Sequence, residues 1–243
     1  MKAMKFVCAF SLCLAEMSAS AMCSIKTADS WSEVRSLSRA FTVKCNGFGF
    51  PSENSAVFLD IDYTLVDRRN SPSRLMDQEI PRIVEDFKKV LKCKVVALTA
   101  RSSYIPNRIA TEIEMANFGI QLSSDFLKDD GFAFSEKLTQ LKEKRIAYTV
   151  CRTSGIIYTS LEKKDFPVES KLGDFSFYPT CPHTDMSYST KGDVLWHMIE
   201  TCCIDRPNRV IFVDDYKPNV KSVFWACANL GIPVLAIHFV PNM

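Results

Sequence analysis

The stretch "VFLDIDYTLVD", residues 57–67, places two acids directly after an apolar run. Such a run predicts a strand that is covered on both faces, as in a parallel sheet. Asp60 and Asp62 then lie at the exit of a buried strand. A buried carboxylate is costly unless a positive group or a metal compensates it. The rest of the chain therefore has to supply that compensation.

Two further apolar runs also end in polar residues. "KVVALTA" (94–100) contains Thr99 and is followed by Arg101, and "RVIFVDD" (209–215) ends in two acids. Between these runs lie stretches whose apolar residues have helical spacing. A last strand is predicted at "PVLAIHFV" (233–240). One predicted helix begins at Pro81, and three further helices are predicted at 106–119, 192–203 and 218–231.

Alternating strands and helices predict an α/β fold, a Rossmann-like doubly wound parallel sheet. Ligands of such sheets bind beyond the carboxyl ends of the strands. We therefore expect the acids and polar residues that follow the three runs to converge on one crevice. Residues 22–55 are interpreted as a polar lead-in with one helix near Trp31–Phe41.

The converging residues permit phosphoryl chemistry. Several carboxylates in one crevice repel one another, and oxygen ligands favour Mg²⁺ as the compensating ion. A hydroxyl at Thr99, a guanidinium at Arg101 and an ammonium at Lys191 are suited to phosphate oxygens. One carboxylate can attack phosphorus while a neighbouring carboxylate transfers protons.

Four motifs carry a family resemblance. In order, "DIDYT" (60–64), "LTARS" (98–102), Lys191 in "STKGD" and "VDDYKPN" (213–219) resemble the motifs of the haloacid dehalogenase (HAD) superfamily. The match covers roughly residues 55–102 and 188–240. The pattern "GIIYT…KG…FVDD" also resembles an exported bacterial HAD-like family, which implies the fold but no substrate.

The resemblance implies roles for the first two motifs. Asp60 matches the nucleophile, which is also a metal ligand. Asp62 matches the general acid and base, whose backbone carbonyl also binds the metal. Thr64, Thr99 and Arg101 are assigned to substrate binding: Thr64 shapes the loop after the nucleophile, Thr99 matches the phosphate-binding hydroxyl, and Arg101 resembles an arginine of exported acid phosphatases.

The resemblance also implies roles for the later motifs. Lys191 matches the catalytic lysine that neutralises nucleophile and phosphate. Asp215 aligns with the metal-binding acid of the fourth motif. Asp214 replaces a frequent glycine and is either a metal ligand or a supporting residue, and Asn219 stands where a further acid is common. Two other lysines of the same loop region, Lys164 and Lys171, are rivals for the position of Lys191.

The acid at Asp62 separates the subclasses of the superfamily. Haloalkanoate dehalogenases and phosphate-transporting ATPases lack an acid there, whereas phosphatases and phosphomutases have one. The resemblance therefore implies a Mg²⁺-dependent phosphomonoesterase that acts on a small phosphorylated substrate through an aspartyl phosphate. A phosphotransferase or mutase, and a binding or effector protein without turnover, remain open as alternatives.

The N-terminus predicts export. Lys2 and Lys5 precede an apolar run at 6–15, and Ala19-Ser20-Ala21 follows, as in a secretory signal peptide over residues 1–21. The run is too short for a permanent membrane span. We expect a periplasmic or secreted protein. Met22 before Cys23 fits a lipid-attachment site poorly, which argues against a lipoprotein.

The remaining chain, 56–243, is interpreted as the HAD-like domain with an insert at roughly 120–190. The insert is either a small cap that brings aromatic residues to the substrate or a decorated loop beside the sheet. A net charge of +2 gives no electrostatic case for binding nucleic acid. The aromatic candidates are Tyr158, Phe175, Phe177 and Tyr178.

Overall fold

The computed structural model describes residues 22–50, 54–69, 71–135, 138–139, 142–143, 146–160 and 190–241. Strands and helices alternate along most of these residues. The helices are α1 (Trp31–Gly47), α2 (Ile80–Lys89), α3 (Ile105–Asn117), α4 (Lys191–Glu200) and α5 (Lys217–Asn229). The strands are β1 (Ser24–Ala28), β2 (Ser55–Leu59), β3 (Val66–Asp67), β4 (Arg74–Leu75), β5 (Cys93–Ser102), β6 (Gly131–Ser135), β7 (Leu138–Thr139), β8 (Lys142–Glu143), β9 (Ile146–Cys151), β10 (Ile156–Ser160), β11 (Arg209–Asp214) and β12 (Val234–Phe239).

The main sheet has eight strands in the order β1-β12-β11-β2-β5-β10-β9-β6. Every neighbouring pair is parallel except the two made by β9, which is antiparallel to β10 and to β6. The chain runs from β2 to β5 on one side and later returns to β11 on the other side of β2. This reversal is the topological switch point at which doubly wound sheets bind ligands.

Helices cover both faces of the sheet, which confirms the predicted Rossmann-like doubly wound α/β fold. On one face, buried residues of α1, α2 and α3, including Trp31 and Phe87, pack against the sheet. On the other face, α4 and α5 contribute buried residues such as Leu195 and Val223. All five residues of β2 are buried, as expected for a central strand covered on both sides.

Local sequence signals fix where the helices begin. The Thr190 hydroxyl accepts from the Asp193 N–H, and the Asp193 carboxylate accepts from the Thr190 N–H. This capping box begins α4 at Lys191 and so places that lysine in the first turn. Helices α2, α3 and α5 each have proline in their first turn, where its missing N–H removes no helical hydrogen bond.

The N-terminal segment is more ordered than the sequence predicts. Strand β1 pairs in parallel with β12 at the edge of the main sheet, and α1 continues past Phe41 to Gly47. The sequence gives no strand signal because three of the five β1 residues, Lys26 among them, are exposed. An edge strand of this kind lacks the apolar run that marked the central strands.

The predicted insert at 120–190 is described in part. Strands β9 and β10 extend the main sheet beyond β5, and Tyr158 lies fully buried in β10 beside Thr99 of β5. Residues 161–189, with Phe175, Phe177 and Tyr178, lie outside the described residues, as does the predicted signal peptide at 1–21. Among the described helices, none has the length and apolar character needed to cross a membrane.

Candidate active site

Strand register brings the acids of two motifs together. Leu59 of β2 pairs with Val213 of β11, so Asp60 and Asp214 leave neighbouring strands at the same level. The Asp60 N–H donates to the Val213 carbonyl (2.9 Å), which fixes the first turn beyond β2. Carboxylate oxygens of Asp60, Asp214 and Asp215 all lie within 4.8 Å of one another. We call these three residues the carboxylate cluster.

Lys191 compensates the carboxylate cluster. Its Nζ donates to Asp60 Oδ1 and, at 2.7 Å, to Asp214 Oδ2. The ammonium also lies 6.0 Å from the centre of the Phe212 ring, within the range of a cation–π interaction. The side chains of Asp60, Asp214 and Lys191 are all buried. The positive group that the buried Asp60 requires is therefore Lys191, which follows it by more than half of the chain.

The residue after Lys191 has to be glycine. A Cβ at Gly192 would overlap the backbone carbonyl of Ser222 in α5. The Gly192 N–H instead donates to the Ser222 hydroxyl (3.1 Å). Close contact between α4 and α5 thus depends on the missing side chain, and this contact holds the start of α4 over the carboxylate cluster.

Thr64 joins the loop after Asp60 to the loop after β11. Its hydroxyl donates to Asp60 Oδ2 (3.4 Å) and accepts from the Asp215 N–H (3.0 Å). The Trp31 indole N–H donates to the Thr64 carbonyl (3.1 Å) from α1. Thr64 is fully buried. These contacts place Thr64 between two acids of the carboxylate cluster. Its assignment to substrate binding stays a prediction.

Burial shifts the pKa of every acid in the carboxylate cluster. Burial raises the pKa of Asp60 to about 6, against the lowering effect of Lys191. Burial also raises the pKa of Asp214 and of Asp215. For Lys191, burial alone would lower the pKa, but the two carboxylates outweigh it and raise the pKa. Three acids and one ammonium thus leave excess negative charge, which either a proton or a metal ion can neutralise.

The donor set fits Mg²⁺. All three acids offer oxygen, the ligand type that Mg²⁺ prefers, and the ion commonly uses only one or two carboxylates. Asp214 is already engaged, because it accepts from Lys191, from the Tyr216 N–H (2.7 Å) and from the Asn219 amide (3.2 Å). Asp60 accepts from fewer donors, from Lys191 and, at the long distance of 3.4 Å, from Thr64. Asp60 and the half-buried Asp215 are therefore the residues best placed to hold the ion, and Asp214 supports them by fixing Lys191.

Asp62 lies in a separate ion-pair network. The Arg101 guanidinium donates to Asp62 Oδ1 (2.7 Å) and to Glu114 Oε2 (2.6 Å). Arg68 lies 3.6 Å from Asp62 Oδ1. The side chain of Asp62 is thus directed at Arg101 and is not among the clustered ligand atoms. Arg101, expected to bind phosphate, here neutralises two carboxylates with a side chain only 8% exposed.

Thr99 is buried in β5, the strand beside β2. In the register of β5 with β2, Ala97 pairs with Leu59. Leu98 is therefore level with Asp60, and Thr99 lies one residue further along β5. Side chains alternate along a strand, and Ala97 and Leu98 pack on opposite faces of the sheet. The Thr99 hydroxyl accepts from the Arg101 N–H (3.2 Å). Its assignment to phosphate binding stays a prediction.

The comparisons with known proteins bear on the C-terminal part of this site. A family model described as "Protein of unknown function (DUF2608)" matches residues 186–242. The matched stretch contains Lys191, Asp214 and Asp215 but not Asp60 or Asp62. No curated protein and no solved structure was found to match the chain. The rival lysines, Lys164 and Lys171, lie outside the described residues.

Two residues near the site had no assigned role in the sequence. Glu114, on α3, pairs with Arg101, and its other oxygen accepts from the Ser73 hydroxyl. His238, on β12, donates from Nε2 to the Asp215 carbonyl (2.9 Å). Helical spacing gives no sign that Glu114 faces Arg101. In the sequence, His238 is only a polar residue near the end of a predicted strand. Its position level with Asp214 follows from the register of β12 with β11.

Proposed function

We propose that the chain is an exported, Mg²⁺-dependent phosphomonoesterase of the HAD type. The observation that carries the proposal is the buried contact of Lys191 with Asp60 and Asp214, with Asp215 in the same cluster, at the carboxyl ends of parallel strands. Such a site combines a nucleophilic carboxylate, a fixed cation and a place for a divalent ion. These are the parts that phosphoryl transfer through an aspartyl phosphate requires.

In the first step, an Asp60 oxygen attacks the phosphorus of the substrate. A bond forms between that oxygen and phosphorus, the ester bond breaks, and Asp62 donates a proton to the departing alkoxide. Lys191 offsets negative charge on Asp60 and on the phosphoryl oxygens. Mg²⁺, held by Asp60 and Asp215, would neutralise further charge on the phosphoryl group when bound.

In the second step, water attacks the aspartyl phosphate. Asp62 accepts a proton from that water, the bond between Asp60 and phosphorus breaks, and inorganic phosphate leaves. Both steps require Asp62 to turn from Arg101 towards the cluster. Thr64 keeps Asp60 in place during this exchange, because its hydroxyl and carbonyl connect Asp60 to Asp215 and to Trp31.

The ion pair between Arg101 and Asp62 favours a second candidate. In that contact the Asp62 carboxylate is directed at Arg101 and not at a leaving group bound beside Asp60. A chain that keeps this contact would bind Mg²⁺ and phosphate without rapid turnover, as a binding or effector protein. A phosphotransferase or mutase would share the first step and pass the phosphoryl group to an acceptor other than water.

The test is phosphate release from a panel of phosphomonoesters, with Mg²⁺ and with chelator, by the chain and by Asp60→Asn. We expect release that requires both Mg²⁺ and Asp60. The matched control is Asp205→Asn, which removes an exposed carboxylate paired with Lys128 on the surface and should retain activity. Mg²⁺ binding by a folded chain that releases no phosphate would support the second candidate instead.

A further inference from the structure

A buried guanidinium lies at the end of the sheet opposite to the carboxylate cluster. Arg209 is the first residue of β11 and is 0% exposed. Its Nη1 donates to the Thr42 carbonyl (3.1 Å), the Asn46 amide oxygen (2.8 Å) and the Phe50 carbonyl (3.4 Å). All three acceptors are uncharged oxygens at or just beyond the C-terminal end of α1.

Arg209 has no carboxylate partner among the residues that the structure describes. The only other buried cation of these residues is Lys191, and it contacts two carboxylates. The C-terminal end of a helix carries about half a negative charge, so α1 offsets the charge of Arg209 only in part. A buried charge without a counter-ion is costly, and Arg209 therefore favours a bound anion.

The side edge of this guanidinium also lacks an acceptor. Nε and Nη2 present parallel N–H bonds on that edge, and both atoms are buried without a hydrogen-bond partner in the described part of the chain. The hydroxyls of Ser55 and Thr42 are buried and unpaired in the same way. Buried polar groups of native proteins nearly always have partners, so these four donors require an acceptor.

The fold places the two hydroxyls beside Arg209. Ser55 of β2 pairs with Arg209 of β11, so their side chains lie on the same face of the sheet. Thr42 contacts the guanidinium from α1 through its carbonyl. The four unpaired donors thus belong to three residues that meet where α1 covers the start of β2 and β11.

Two buried thiols interact electrostatically with Arg209, Cys45 of α1 and Cys93 of β5. Arg209 lowers the pKa of each thiol, but burial has the larger effect. Burial raises the pKa of Cys45 and raises that of Cys93 to about 11. Both thiols are therefore neutral near pH 7, and neither supplies the missing negative charge.

We propose that Arg209, Ser55 and Thr42 form a binding site for one chloride ion. The parallel N–H bonds of Arg209 and the two hydroxyls donate to the ion, and its single negative charge balances the guanidinium. A phosphate or sulfate dianion would bring a second negative charge to a buried place that holds one guanidinium. The site is separate from the carboxylate cluster and does not depend on the proposed function.

The experiment measures urea unfolding of the full chain in increasing sodium chloride and in sodium gluconate at the same ionic strength. Gluconate is too large for an enclosed site, so it controls for screening by salt. Above the dissociation constant, the unfolding equilibrium constant should fall about tenfold for each tenfold rise in chloride, the limit for one site present only in the folded chain. In gluconate the fall should be much smaller.

Three variants assign the effect to the site. Arg209→Met should abolish the dependence on chloride, and Ser55→Ala and Thr42→Val should each raise the dissociation constant for chloride about threefold to tenfold. Matched controls are Arg206→Met, at an exposed arginine, and Ser38→Ala, at a buried serine whose hydroxyl already donates to a backbone carbonyl (2.7 Å). Both controls should keep the wild-type dependence.

An equal response to chloride and gluconate would overturn the inference, because water or the carboxylate of Glu53, outside the described residues, would then satisfy the guanidinium. A chloride dependence that persists unchanged in Arg209→Met, or in both hydroxyl variants if Arg209→Met does not fold, would also overturn it. Neither result bears on phosphate release, so this inference and the proposed function fail separately.

Discussion

Replacement of Lys191 by methionine tests whether one ammonium compensates the buried acids. Methionine keeps much of the length and apolar volume of the side chain but removes the charge. In Lys191→Met, the carboxylates of Asp60 and Asp214 would remain buried without their shared donor. Removing one partner of a buried ion pair costs about 3–5 kcal/mol. That loss is a large fraction of the total stability of a typical domain.

The assay is urea denaturation in the presence of chelator at pH 8, above the pKa of about 6 of Asp60. The loss in Lys191→Met should shrink at pH 5, because the uncompensated acids can then bind protons. Mg²⁺ should stabilise the variant more than the wild type, since the ion would meet more uncompensated negative charge. Adding Asp214→Asn should restore part of the stability by removing one of the two acids, while the amide oxygen can still accept from the Tyr216 N–H.

The matched control is Lys128→Met, which breaks an exposed ion pair of the same length, 2.7 Å, with Asp205. Exposed pairs contribute little to stability, so only a small change is expected. If Lys191→Met loses no more stability than Lys128→Met in chelator at pH 8, the compensation of the carboxylate cluster by Lys191 is refuted.

Three further outcomes follow from the same contacts. Gly192→Ala should lose about 1–3 kcal/mol in urea denaturation, because its Cβ overlaps the Ser222 carbonyl, and unchanged stability would contradict the tight contact between α4 and α5. Thr64→Val should lose about 1–3 kcal/mol together with catalytic rate, since the Asp215 N–H loses its acceptor; retention of both would show that the bond is dispensable. Burial raises the pKa of Asp60 from 3.8 to about 6, so the metal-free fold binds a proton more readily than the unfolded chain, and its unfolding free energy should fall as pH rises through this window. The same pH titration of Asp60→Asn should show a smaller fall, and identical slopes would contradict the assignment.

The central sheet was predictable because its strands carry strong signals. Strands β2, β5 and β11 are apolar runs buried on both faces, and each is followed by a helix or by polar residues. Their parallel arrangement follows from the helical connections. Edge strand β1 could not be predicted in the same way, since its exposed residues resemble those of a loop.

The carboxylate cluster was also predictable, for a geometric reason. Parallel strands end at the same edge of a sheet, so Asp60, which follows β2, and the two acids at the end of β11 had to meet there. The contribution of Lys191 depended on the capping box that begins α4 and on the close contact at Gly192. The spacing of Lys191 along the chain does not reveal that contact.

The orientation of Asp62 could not be predicted. The side chain of Asp62 contacts Arg101, and Arg101 in turn is held by Glu114 of α3. Arg101, in β5, can bridge the two acids because α3 contacts β5 and carries Glu114. That packing involves residues distant in sequence, so neither motif spacing nor helical periodicity specifies it.

The most direct test of the account is mass spectrometry of the chain after brief incubation with Mg²⁺ and a phosphomonoester that the chain hydrolyses. The reaction is stopped with acid so that a covalent intermediate is retained. The account predicts a mass increase of one phosphoryl group on the peptide that contains Asp60. That increase should be absent in chelator and in Asp60→Asn. Phosphate release that continues in Asp60→Asn, with no modified peptide in the wild type, would contradict covalent catalysis by Asp60.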